Sequence, residues 1–269
     1  MTVPDFRIIK HCGKGRDADQ ILSPISGFWA GCPIPRVDPE NSCYEIYDDF
    51  TSFDVGDATS KWTLDQLNGT AVLVSAEAAT GLGGVVALTA ANNDNDFAQI
   101  KVTSTDTGAP FKIVEDSGKP LWFAARVYVS SIAADSSYYV GLFNAGATEI
   151  QADNSGAAHA SKLIDGVYLR TLCATPTEID IGINKDSTET EVEGAAGTLA
   201  ATTWTTLGFY FDGAATVAFY QDGVLISALD TEATNMPDDQ GLTPAVAVKS
   251  GTTSNRVLNV DWIRCVQKR

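Results

Sequence analysis

Two antiparallel β-sheets packed face to face, preceded by an extended arm, is the fold class that this sequence predicts. Three observations carry the prediction. Leu207, Phe209 and Phe211 share one alternating face, and Val217 and Phe219 continue it, so 204–226 reads as three short strands in a meander. Side chains on a strand point to opposite faces with period two. Asp222-Gly223 sits directly between two of these runs and suits a type I′ turn, which needs positive φ at both central positions. Finally, the rest of the chain repeats this style, with helical spacing confined to 153–164.

Residues 1–45 read as the arm. Pro4, Pro24, Pro33, Pro35 and Pro39 are half of the ten prolines in the chain. Each lacks a backbone donor and pushes its predecessor toward extended geometry. Ile8, Ile9, Ile21, Leu22, Phe28 and Trp29 are spread through the same segment, whereas a disordered linker has few such residues. An arm of this composition becomes ordered by lying on a surface, either its own body or another subunit.

Residues 46–269 read as the body. Strand-like runs occur at 44–50, 61–67, 70–75, 84–89, 97–103, 121–130, 138–144, 166–172, 178–184, 205–212, 216–221, 224–229, 242–248 and 257–265. Asn68-Gly69 between two of them reads as a hairpin turn. In the run from 121, Leu121, Phe123, Ala125, Val127 and Val129 alternate with Trp122, Ala124, Arg126 and Tyr128. Many short strands punctuated by Gly, Asn and Asp argue for a two-sheet sandwich.

A net charge of −16 on 269 residues repels phosphate and argues against nucleic acid as a partner. The arm differs: residues 1–36 hold five basic and three acidic side chains. No stretch approaches the roughly 18 apolar residues of a membrane span, and the first residues lack the apolar run of a secretory signal. Neither a membrane partner nor export is expected. The five cysteines are expected to be free thiols in a reducing cytoplasm. No Cys-x-x-Cys pair occurs and there are two histidines, His11 and His159, so no metal site or cofactor is expected.

Trp204-Thr-Thr-Leu-Gly-Phe-Tyr-Phe-Asp-Gly, Val217-Ala-Phe-Tyr-Gln-Asp-Gly and Leu258-Asn-Val-Asp-Trp-Ile-Arg264, with the opening Tyr47-Asp-Asp-Phe50, resemble the concanavalin A-like, laminin G-like jelly roll. The resemblance covers residues 46–269. A narrower one rests on Gly118-Lys-Pro-Leu-Trp-Phe-Ala-Ala-Arg-Val-Tyr-Val129, Tyr138-Tyr-Val-Gly-Leu-Phe143, Asp165-Gly-Val-Tyr168, Leu242-Thr-Pro-Ala245 and Asp261-Trp-Ile-Arg-Cys-Val-Gln267. These are similar to virion proteins of tailed bacteriophages, in which the jelly roll is a head decoration or cement protein. The resemblance implies a non-enzymatic structural subunit, assembled in the host cytoplasm, on the outer surface of the capsid. Its expected partners are the major capsid protein and copies of itself in a homo-oligomer, a trimer. The arm residues Ile8, Ile9, Ile21, Leu22, Phe28 and Trp29 are the expected contacts to the shell or to a neighbouring subunit. The alternative is a carbohydrate-binding or receptor-binding virion protein that takes a surface glycan.

The sharpest enzymatic pattern is Glu178-Ile-Asp-Ile-Gly-Ile-Asn184. Laminarinase-type hydrolases of this fold carry two glutamates flanking an aspartate on one strand, because retaining chemistry needs two carboxyls roughly 5–5.5 Å apart. Glu178 and Asp180 fit the first two positions, but Gly182 or Ile183 stands at the third, so no catalytic residue is expected. Gly-x-Ser-x-Gly and phosphate-binding loop motifs are absent. Asn92-Asn-Asp-Asn-Asp96 is an oxygen cluster without EF-hand spacing and reads as a polar turn. Trp122, Tyr128, Tyr138, Tyr139, Tyr210 and Tyr220 suit either sugar stacking or a packed face, and the packed face is favoured.

Overall fold

The computed structural model describes residues 21–22, 28–29, 32–34, 43–55, 60–74, 84–102, 108–133, 135–146, 149, 165–185, 188–230, 235–251 and 254–269. The candidate helix at 153–164 lies outside them. In chain order the strands are β1 (Ile21–Leu22), β2 (Pro33–Ile34), β3 (Cys43–Asp48), β4 (Thr63–Leu67), β5 (Gly69–Val74), β6 (Val85–Ala90), β7 (Phe97–Lys101), β8 (Leu121–Val129) and β9 (Ser136–Asn144). They continue with β10 (Gly166–Arg170), β11 (Glu178–Lys185), β12 (Thr188–Thr198), β13 (Trp204–Phe211), β14 (Thr216–Gln221), β15 (Val224–Asp230), β16 (Leu242–Ser250) and β17 (Arg256–Lys268). No α-helix occurs among the described residues.

Two antiparallel sheets form a jelly-roll sandwich. One has seven strands in the order β12-β11-β10-β9-β16-β7-β4; the other has the order β15-β14-β13-β8-β17-β6-β5, with β3 also on β17. Alternation builds the core between them. Leu121, Phe123, Ala125, Val127 and Val129 face Val140, Leu142, Val167, Leu169, Ile181 and Val246 in one buried cluster. Phe123 and Phe209 stack at 5.2 Å, and Phe219 lies 5.9 Å from Phe209.

β17 changes phase in mid-strand. Leu258 and Val260 are core residues, and so are Ile263 and Cys265, which a strict period of two would place on opposite faces. A register shift between Val260 and Trp262 inserts one residue, Asp261, as a β-bulge does. The bulge presents the Asp261 carboxylate to Arg126 at 2.5 Å. The opening motif is likewise structural. The Asp48 carboxylate accepts the Phe50 N–H at 2.9 Å and the Trp62 indole N–H at 2.8 Å, fixing two fully buried aromatics.

Asp222-Gly223 forms the expected hairpin, with φ of 52° and 78° between Gln221 and Val224. Asn68-Gly69 does not. β4 belongs to the seven-stranded sheet and β5 to the other, so this dipeptide is a corner where the chain changes sheets. Asn68 takes positive φ, while its amide donates to Asp96 at 2.9 Å. Gly69 is required by close approach, since a Cβ there would lie 2.2 Å from the Phe97 carbonyl oxygen. The sequence reading also lacks β12, an edge strand that opens on the alternating Thr188-Glu-Thr-Glu191 and ends in small residues, of which Ala196 packs on the core. Gly69→Ala is expected to lower stability by about 1–3 kcal/mol through this clash, read as a lower urea midpoint at unchanged slope; an unchanged midpoint would contradict the corner geometry.

Candidate functional site

The outer face of the seven-stranded sheet carries two polar and aromatic rows. Asp180, Arg170, Tyr139, Ala247, Gln99 and Asp65 are successive cross-strand neighbours, and beside them run Gly182, Tyr168, Gly141, Ala245, Lys101 and Thr63. Small residues on three strands make room for large rings. Tyr139, Phe143 and Tyr168 pack with Ala245 and Ala247 into a cluster separate from the main core. Phe143 and Tyr168 are stacked at 5.9 Å, and the Arg170 guanidinium lies 5.2 Å from the Tyr168 ring. The Tyr168 hydroxyl donates to Asn184 Oδ1 at 2.9 Å.

This face is covered. Tyr139 and Tyr168 are fully buried, and Lys101 and Lys249 are each 2% exposed. A buried ammonium is tolerated only with a partner. Lys101 Nζ lies 2.9 Å from Asp65, and Lys249 Nζ lies 2.7 Å from Glu149. Glu149 belongs to the connection between β9 and β10, and its carboxylate meets the face at this point.

The carboxylates of β11 are placed here as well. Asp180 is buried, and its Oδ1 accepts the N–H of Ala195 at 2.9 Å, where β12 turns through positive φ. The position where the hydrolase pattern needs its last carboxylate is closed by an aromatic ring: a Cβ on Gly182 would lie 2.5 Å from the Tyr168 hydroxyl oxygen. The strand therefore presents one half-buried carboxylate, Glu178, and one that caps the backbone.

The outer face of the eight-stranded sheet bears the arm. Ile8 and Ile9 lie outside the described residues. Ile21 and Leu22 form β1 and pair with Ile34 and Pro33 of β2. Phe28 sits over Gly208, where a Cβ would come within 3.0 Å of its ring, and its ring centroid is 4.8 Å from Tyr220. Trp29 packs on the Arg264 guanidinium at 4.6 Å. The Trp29 carbonyl accepts the Cys32 N–H at 3.0 Å, and Cys32 is buried with Cys43, Trp122 and Val266. Phe28 and Trp29 thus rest on this chain's own sheet, in a bed whose floor is small, Gly208 and Ala124, and whose walls are aromatic.

The six aromatics considered for sugar stacking are all engaged. Tyr138 points into the core, with its hydroxyl bonded to the Ser131 carbonyl and pushed up to about 12 by burial. Tyr139 belongs to the covered cluster. Trp122 packs on Tyr210, Tyr128 on Trp204, and Tyr220 on Phe28. The Asn92–Asp96 cluster is a turn: the buried Asp96 carboxylate accepts the Asn93 N–H at 2.9 Å and the Asn93 amide at 3.0 Å. Among the described residues no group of three or more His, Cys, Asp or Glu side chains is placed to hold a metal ion. His11, His159 and Cys12 lie outside those residues. Cys32, Cys43, Cys173 and Cys265 are buried thiols. Burial pushes the Cys32 thiol up to about 12 and Cys173 to about 11, and raises Cys43 and Cys265 as well.

No protein-family model and no curated protein matches the sequence. Solved structures do match in fold. A protein of unknown function from Shewanella oneidensis MR-1 is 14% identical over 93% of this chain and 90% of its own, with a TM-score of 0.55. The endo-β-1,4-glucuronan lyase of the fungus Trichoderma reesei is 12% identical over 82% and 94%, at 0.57. Peanut lectin is 14% identical over 85% and 98%, at 0.54. The fold is a concanavalin A-like jelly roll. At these identities the likeness extends to the fold alone.

The buried layer and the arm each make an expectation. Lys101→Ala takes the buried ammonium away from the half-buried Asp65 carboxylate, which keeps the Gln99 amide at 3.4 Å, and is expected to cost about 1–3 kcal/mol, measured by urea unfolding; a loss below about 0.5 kcal/mol would show an open, solvated pair. Alkylation needs the thiolate, so the folded chain is expected to label slowly at Cys32 near about pH 8. Trp29→Ala is expected to speed labelling of Cys32 but not of Cys265, read by mass spectrometry after a short iodoacetamide pulse. Equal rates in the two proteins would show that Trp29 does not hold this segment down.

Proposed function

We propose that the chain is a structural, non-enzymatic virion protein of a tailed bacteriophage, a decoration protein bound as a homo-oligomer, a trimer, to the outer surface of the major capsid shell. The observation that carries the proposal is the burial of the rings and charges on the outer face of the seven-stranded sheet and the seating of Phe28 and Trp29 on the other sheet. On the first face Glu149 pairs with the buried Lys249. The rings and charges that an open binding platform would present are used here for packing. The resemblance of residues 118–143 and 242–267 to phage virion jelly rolls supports this reading. In this reading Phe28 and Trp29 root the arm on the body, and the residues before β1, with Ile8 and Ile9, grip the shell. Apolar side chains there contribute roughly 25 cal/mol per Å² buried, against roughly 1–2 kcal/mol per residue for ordering the backbone.

Non-enzymatic character is supported by the engaged Asp180 and by the Tyr168 ring over Gly182. β-Glucan hydrolysis that disappears in Glu178→Gln would overturn it. The deciding experiment uses purified heads lacking the protein. The full chain is expected to bind them and raise their resistance to heat and osmotic shock. A chain lacking residues 1–20 keeps Phe28 and Trp29, so it is expected to stay folded yet bind at least about tenfold more weakly. Equal binding by the shortened chain would remove the gripping role of the arm, and a protein found only at the tail tip would favour receptor binding.

A further inference from the structure

We propose that the cavity beside the end of β17 is a binding site for a carboxylated sugar. Its volume is about 660 Å³, and Tyr44, Phe111, Lys112, Val114, Lys119 and Lys268 are among the residues that line it. Small-molecule sites typically occupy roughly 300–1,000 Å³. The walls come from β3, from the connection between β7 and β8, and from the last residues of β17.

Charge singles this cavity out on an acidic protein. Lys61, Lys101, Lys185, Lys249, Arg126 and Arg264 each pair with a carboxylate. Lys112, Lys119 and Lys268 make no ion pair among the described residues, and all three line the cavity. Arg269 follows Lys268, and its guanidinium lies 4.5 Å from the Tyr44 ring. Glu115 and Asp116 belong to the same connection as Lys112 and Lys119 but do not line the hollow. Cations gathered here with no carboxylate among the described lining residues, on a chain of net charge −16, attract an anion from solution.

The walls are held in place before any ligand arrives. Phe111 exchanges both backbone hydrogen bonds with Leu242, at 3.2 and 2.8 Å. The Gln267 side-chain amide clamps Lys112, accepting its N–H at 3.2 Å and donating to its carbonyl. Gly118 N–H donates to Gly213 and Lys268 N–H to Pro120, each at 2.9 Å. A preformed site loses less entropy on binding. The other lining groups choose the ligand class. Tyr44 is 48% exposed, and Pro110, Val114 and Ala109 add apolar surface. A pyranose offers an apolar face to such a wall and hydroxyls to Ser117, while its carboxylate reaches the ammonium groups. A bare inorganic anion uses neither the ring nor the apolar lining.

The test is isothermal titration of the full chain with glucuronate and short oligoglucuronate, against glucose, inorganic phosphate and tetraglutamate. The uronates are expected to bind, and to bind more weakly in about 1 M salt, where screening is nearly complete. Glucose, phosphate and tetraglutamate are expected to bind much less. Lys112→Ala, Lys268→Ala and Tyr44→Ala are each expected to weaken uronate binding by about five- to tenfold, with unchanged circular dichroism. Lys185→Ala, away from the cavity, is expected to leave binding unaltered. No uronate binding, or binding that survives Lys112→Ala combined with Lys268→Ala, would overturn the site. So would equal binding of glucose or phosphate, or binding of tetraglutamate in preference to uronate.

Discussion

Strand β17 is the constraint on which the remainder of the molecule depends. Its thirteen residues pair with β8 along one side and with both β6 and β3 along the other. One inserted residue, Asp261, lets a single strand keep an apolar inner face at both ends, and the Arg126 guanidinium holds that insertion by its charge. Arg126 in turn lies 4.8 Å from the Trp204 ring, which ties the bulge to β13. Beyond the bulge, Arg264 and Val266 make the bed for Trp29 and Cys32, and Gln267 clamps the wall of the lysine-lined cavity. The arm, the sheet and the cavity are thus consequences of one strand's register.

The two outer faces show the same economy by different means. On the seven-stranded sheet, burying Lys101 and Lys249 would cost several kcal/mol per ion without partners; Asp65 on the neighbouring strand β4 supplies one and Glu149, from the β9–β10 connection, the other. On the eight-stranded sheet the cover is apolar and cationic–aromatic, with Trp29 on Arg264 and Phe28 in a hollow left by Gly208. Where these covers lie, the two faces present packed rings and paired charges rather than open rows. The neighbours in fold include a lyase and a lectin, and the likeness to them extends to the fold alone.

Much of the fold was legible because alternation is a local signal. Leu121 to Val129 and Leu207 to Phe219 state their inner faces directly, and Asp222-Gly223 states its turn. The signal failed where a tertiary contact decided the outcome. Asn68-Gly69 has hairpin chemistry, yet Asp96 and the Phe97 carbonyl make it a corner between sheets. β12 is an edge strand that opens on alternating Thr and Glu and closes on Gly and Ala, with no run of large apolar residues to announce it. The site was less legible still. Tyr168, Arg170, Lys101 and Lys249 lie on three strands, and Lys112, Lys119 and Lys268 on segments distant in sequence; sheet order and connection geometry bring them together. The lone hint was a lysine ending each of the apolar runs of β7 and β16, a pattern that a buried ion pair shares with an ordinary strand end.

Burial of the rings on the two outer sheet faces is best tested by hydroxyl-radical footprinting of the full chain in solution. Tyr139, Tyr168 and Trp122 are expected to react as slowly as the core residues Phe123 and Phe209, while Tyr44 and Tyr47 react quickly. Oxidation of Tyr139 and Tyr168 at the rate of Tyr47 would mean an open, solvated face on the seven-stranded sheet, and would contradict the structural role drawn from their burial.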